Sequence, residues 1–146
     1  IECEGLRHAL TRASDNDIAE LGRLLEQSRP EYEHTDNALR LLEIDEDFHL
    51  RLIALSGNTE LVRMLENLNG RIRYVRLMGL KSLPSMDPVK QAPQARLSAH
   101  PEVLSALMAR DAEKALETLR SHINIRKEEA TKAVQIAYSQ IYVQAV

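Results

Sequence analysis

Cysteine, aromatic side chains and long apolar runs are all scarce in this chain. Cys3 is the only cysteine among 146 residues, so no disulfide can form within the chain, the usage expected in a reducing cytoplasm. There is no tryptophan and one phenylalanine, and aromatic residues make up 3% of the composition. With β-branched residues also thin, a sheet-based core is disfavoured. No apolar stretch approaches the roughly 18–20 residues that span a bilayer, and the first residues lack the pattern of a secretory signal. Excess positive charge is missing too: the net charge is −3 and the isoelectric point about 6.0, which argues against a broad nucleic-acid surface. The densest basic cluster, Arg71, Arg73 and Arg76, has no aromatic residues interleaved.

What is present is rich in Leu, Ala, Glu and Arg, all good helix formers. Five glycines and five prolines fall mostly where helices would break. The length suits one domain with one core, covering residues 1–146 and all-α. The chain opens at Ile1, without methionine, and reads as helix at once, so a piece of a longer protein is expected.

The pattern predicts about six helices. The first runs from Ile1 to Arg12 and breaks at Ala13-Ser14. Ser14 then caps a second helix, with Asp15 and Asp17 in the first turn, where the helix dipole favours acids. Ile18, Leu21, Leu24 and Leu25 form its buried stripe, and it is expected to stop before Pro30. A third helix starts from an Asp36 cap and ends near Ser56, before Gly57-Asn58. Its apolar positions cover much of its circumference, which makes it central. The fourth spans about Thr59 to Leu80, with Leu61, Leu65, Leu68, Ile72, Val75 and Met78 inward. An irregular connection from Lys81 to Pro93 follows. A fifth helix then runs from Ala95 or Ala99 to Arg110, and Asp111 caps a sixth reaching about Tyr142.

The chemistry concentrates in the segment Asp45-Glu46-Asp47-Phe48-His49. Residues four apart share a helix face, so Asp45 and His49 point together, and Leu42, Leu52 and Ile53 make theirs the buried face. Asp47 points away, to solvent. A buried carboxylate beside an imidazole costs several kcal/mol unless something compensates, and a divalent cation does so. Two ligands hold a metal poorly, and His100 and His122 are the candidates to complete the set. Each has an ordinary reading as well. An Asp-x-x-x-His pair is often a plain salt bridge, His100 could cap a helix end, and His122 could be a core histidine. His8 and His34 read as surface residues.

Taken in order, Asp45-x-x-x-His49, Leu55-Ser56-Gly57-Asn58, His100-x-x-x-Leu104, Arg110-Asp111-x-x-x-Ala115 and Arg120-x-His122 resemble the FCD domain. This is the ligand-binding C-terminal domain in the FadR branch of GntR-type transcription regulators. The opening Ile1-Glu2 and the stretch from Leu10 to Ile18 resemble the family's first two helices, so the likeness covers nearly the whole chain. Six helices rather than seven resemble the shorter VanR-type subgroup. The resemblance implies an antiparallel helical bundle around a central cavity, with a divalent metal held by Asp45, His49, His100 and His122. Such a nitrogen-rich set suits Zn²⁺ first, with Ni²⁺ or Mn²⁺ as alternatives, and an open position beside a buried cation is expected to receive a small carboxylate effector that controls operator binding. Asn58 and Arg76 are candidates to hold the effector's far end, although a solvated surface arginine is the plainer reading of Arg76. The resemblance further implies a homodimer, and DNA binding through a winged helix-turn-helix that this chain lacks. The competing class is a metal-dependent hydrolytic enzyme. Against it, Glu43 and Glu46 lie off the metal face, which leaves no clear general base. A bundle without metal is the third reading.

Overall fold

A computed structural model describes residues 1–82 and 99–143. Six helices account for nearly all of them: α1 (Glu2–Arg12), α2 (Asp15–His34), α3 (Ala38–Ala54), α4 (Thr59–Ser82), α5 (Ala99–Met108) and α6 (Ala112–Val143). Among the described residues there is no strand, and no helix is long and apolar enough to cross a membrane. The all-α expectation holds.

Local chemistry explains most helix ends. Ser14 and Asp17 form a reciprocal capping box: the Asp17 amide donates to Ser14 Oγ at 3.1 Å, and the Ser14 amide donates to Asp17 Oδ2 at 3.0 Å. Two of the orphan amides at the start of α2 are thereby satisfied. The cap of α3 is Asn37 rather than Asp36, because Asn37 Oδ1 accepts from the amides of Leu39 and Arg40. The helix starts one residue later than expected and stops two residues earlier, at Ala54. Gly57, at φ 69°, supplies the left-handed turn into α4. Asp111 Oδ1 accepts from the Lys114 amide at 3.1 Å and so caps α6.

Two expectations about extent fail. α2 does not stop before Pro30 but runs through it and four residues beyond, to His34. Pro30 withdraws one amide from the ladder, yet the last turn is pinned from outside. Tyr32 is buried against Ile44 and Leu41, and Arg40 of α3 grips Glu31 through two nitrogens. Tertiary packing here overrides a local breaker. α4 in turn continues to Ser82, so Lys81 and Ser82 are helical; the remainder of the connection expected up to Pro93 lies outside the described residues. So do Ala95 and the other positions before Ala99.

The core is built from Leu6, Ile18, Leu21, Phe48, Leu52, Ile53, Leu65, Val103, Leu107 and Leu119, drawn from all six helices. Each fully buried side chain of this size contributes roughly 1.5–3 kcal/mol. α3 packs against α1, α2 and α4, while α6 packs against α1, α4 and α5. The face expected on α4 is partly misplaced: Leu68 and Ile72 are 41% and 36% exposed. The apolar arc of α4 is wider than the strip its neighbours cover, and part of that strip is given to Asn69, which is buried, and to Arg76.

The α5–α6 turn carries one non-glycine residue at positive φ, Arg110 at 57°. Its side chain accounts for it. The guanidinium donates to the Leu10 and Ala13 carbonyls at 3.0 and 2.7 Å and to Asp15 Oδ1 at 2.9 Å. It ties this turn to the α1–α2 turn, a contact that glycine could not make.

Candidate metal centre

α3 places Asp45 and His49 one turn apart on its inner face. α5 brings in His100, its second residue, whose ring stacks on Phe48 at 4.0 Å between centroids and 16° between planes. α6 brings in His122. The three histidines are buried and the Asp45 side chain is 13% exposed. His122 Nε2 lies 3.2 Å from His49 Nε2 and 3.3 Å from His100 Nε2. Asp45 Oδ1 lies 3.2 Å from His100 Nε2, 3.7 Å from His49 Nε2 and 3.8 Å from His122 Nε2. One ligand atom from each of the four residues lies within 4.8 Å of all the others.

These separations test the fit to a cation. Metal–ligand bonds of about 2.0–2.1 Å at tetrahedral angles place neighbouring ligand atoms about 3.3–3.4 Å apart, and the observed edges bracket that value. Three ring nitrogens and one carboxylate oxygen form a donor set suited to Zn²⁺ and its neighbours in the first transition row. Burial pushes His49 below the ordinary histidine range and His100 down to about 4. At neutral pH both rings are therefore uncharged, as ligation requires.

Asp45 uses its two oxygens differently. Oδ1 faces the histidines, while Oδ2 accepts from Arg76 Nη2 at 2.6 Å and contacts Arg126 Nη2 at 3.1 Å. Burial would push Asp45 up, but Arg126 and His49, with the His100 and His122 rings beside its carboxylate, hold it well below the usual carboxylate range. Arg76 is 10% exposed, so the solvated reading of this residue is wrong. Burial and the nearby Arg126 push it down, against the pull of Asp45 and Glu46.

Asn58 does not join the group. Its Oδ1 accepts from the Glu60 and Leu61 amides at 3.1 and 3.3 Å, which makes it the cap of α4. Arg76 lies 18 positions further on, roughly 27 Å along the helix axis at 1.5 Å per residue. Asn58 is thus corrected from effector contact to helix cap. His8 and His34 are occupied locally, by Glu4 and the Pro30 carbonyl, and Asp47 pairs with Arg51 at the surface.

Three participants escaped the sequence reading. Arg126, one turn beyond His122 on α6, brings Nη1 to 3.0 Å from His49 Nε2; its spacing of four from His122 is a signal that could have found it. Glu46 lies outside the ligand set, as expected, but is 3% exposed and paired with Arg73 and, at 3.6 Å, with Arg76 Nη1. Its apolar neighbours Leu42, Leu50 and Ile53 on the same face marked it as inward. Glu2 Oε1, 2.6 Å from His49 Nδ1, comes from another helix and carries no local signal.

A family model described as the FCD domain matches residues 1–125. The Nta operon transcriptional regulator of Aminobacter aminovorans is 30% identical to this chain over 145 residues, which is 97% of this chain and 62% of that protein. The chain thus spans less than two thirds of the length of this curated relative. No solved structure gives a match.

Proposed function

The chain belongs to the FCD domain family, and we propose that it is the effector-sensing domain of a bacterial transcription regulator of the GntR type. In this reading Asp45, His49, His100 and His122 hold a divalent cation, Zn²⁺ before Ni²⁺ or Mn²⁺. The bound cation supplies a concentrated positive charge to which a carboxylate oxygen is drawn. Arg76 and Arg126 stand beside it, two guanidiniums on one Asp45 oxygen, and supply the donors that orient a small carboxylate effector. Signalling requires the effector to prefer one arrangement of the bundle over another, with α1 and α4 as the elements that pass the preference on. DNA binding belongs to an upstream winged helix-turn-helix, the assembly is a homodimer suited to two-fold symmetric operators, and the setting is the cytoplasm.

The observation that carries the reading is the meeting of four ligand atoms from three helices within 4.8 Å. The relative's name, an operon regulator, supports the regulatory class. Native mass spectrometry of the purified chain tests it by reporting metal, retained ligand and subunit number together. Expected is one divalent ion per chain and a further mass shift with an added carboxylate such as acetate or citrate. A chain that stays metal-free after zinc loading would sink the metal-centred reading. Conversion of carboxylate ester or amide substrates by the zinc-loaded chain would favour the hydrolase instead.

A further inference from the structure

We propose that Glu2 is the positioning carboxylate of the metal centre, holding the His49 ring in its ligating orientation from α1. This inference rests on the metal-binding reading above and adds a residue and a helix that the ligand set does not contain.

A neutral imidazole that offers Nε2 as a ligand carries its hydrogen on Nδ1. His49 Nε2 faces Asp45, His122 and Arg126. Its Nδ1 faces the other way, 2.6 Å from Glu2 Oε1, with His49 1% exposed and Glu2 13% exposed. Neither atom makes a hydrogen bond of ordinary geometry with any described residue, and the 2.6 Å approach makes each the polar group that faces the other in the interior. A carboxylate behind a ligating histidine fixes its tautomer and ring orientation and raises its basicity.

A second observation, independent of charge, explains how α1 comes so near. One turn after Glu2 stands Gly5, and a Cβ built there would lie 2.8 Å from Ile53 Cγ2 and 2.9 Å from Ile53 Cδ1. Ile53 is one turn after His49 on α3. Glu2 over His49 and Gly5 over Ile53 are therefore two contacts of a single register between α1 and α3. The missing side chain at position 5 lets the helices close, and the closure sets the carboxylate on the ring. Leu6 and Ala9, both fully buried, lock that register.

The test is Zn²⁺ affinity of the 146-residue chain, measured by competition with a chromophoric chelator, for the parent, Glu2→Ala, Glu2→Gln and Gly5→Ala. Loss of an orienting partner weakens metal binding by roughly ten- to a hundredfold, the effect expected for Glu2→Ala. Glu2→Gln keeps an oxygen that accepts from Nδ1–H and should recover most of the loss, whereas Gly5→Ala should weaken binding by moving α1 off Ile53. Ring-nitrogen NMR of the zinc-loaded parent should place the His49 proton on Nδ1, a readout independent of whether any variant folds. A proton on Nε2 would overturn the proposal, as would a Glu2→Ala affinity matching the parent or an equal loss in Ala and Gln. A parent that takes up no Zn²⁺ sinks the metal centre and this role together; a parent that binds Zn²⁺ as tightly as Glu2→Ala does sinks the Glu2 role alone.

Discussion

Arg76 of α4 reaches across to α3 and sets its Nη2 2.6 Å from Asp45 Oδ2, which leaves Oδ1 turned toward the three histidines. Both side chains are nearly buried, so each charge depends on the other. Breaking a buried pair by removing one partner costs about 3–5 kcal/mol, and the second contact from Arg126 should hold the loss near or below the lower end. Arg76→Ala should therefore destabilise the zinc-free chain by up to about 3 kcal/mol. The zinc-loaded chain should lose less, because the cation takes over compensation of Asp45. Urea denaturation with and without Zn²⁺ checks this. An equal or larger loss in the loaded chain would show that Arg76 does not act through Asp45.

The ligand assignment predicts a contrast among histidines. His100→Ala and His122→Ala should each weaken Zn²⁺ binding and abolish most of the rise in melting temperature on zinc loading. His34→Ala should do neither, since its Nδ1 is engaged at the surface by the Pro30 carbonyl 2.7 Å away. Thermal scans with zinc and with excess chelator would decide. Three variants that behave alike would refute the assignment.

Acid should weaken the zinc-free fold in a defined window. His100 has an ordinary value near 6.5 and sits at about 4 in the folded chain, so between these values the unfolded chain binds the extra proton. Stability from this group is complete above about pH 6.5 and is lost as pH falls toward 4. The loss is on the order of 3 kcal/mol for a shift of this size. His49, also pushed down by burial, acts in the same direction. Denaturation midpoints between pH 7 and 4 in chelator should fall accordingly, and His100→Ala should flatten the slope. A flat profile in the parent would contradict buried neutral histidines.

Ser14→Ala is the control for local effects. It removes the hydroxyl that accepts from the Asp17 amide and should cost about 1 kcal/mol of stability. Zn²⁺ affinity should be unchanged, because the capping box at the start of α2 shares no contact with the ligand cluster. A parallel loss of zinc binding would mean that global stability, and not ligand geometry, governs metal uptake in all of these variants.

The order of the residues put Asp45 and His49 on one helix face, because a 3.6-residue period ties positions four apart to the same side whatever surrounds them. It placed Ser14 as a cap and Gly57 at a break for the same reason: capping and left-handed turns are set by chemistry within a few residues. His100 and His122 were legible only as candidates, and the resemblance to a family made them a set.

What depended on how the helices pack was not legible. Pro30 stays helical because Tyr32 and Glu31 are held by α3. Leu68 and Ile72 are half exposed because burial depends on which neighbour covers the face, which periodicity does not state. Glu2, Arg126 and Arg76 meet Asp45 and His49 across sequence gaps of 31 to 81 residues. By itself the sequence determined which side chains each helix presents together. Only the tertiary structure decided which helices face one another and at what register, since that follows from close packing of the whole core, down to the space left by Gly5 against Ile53.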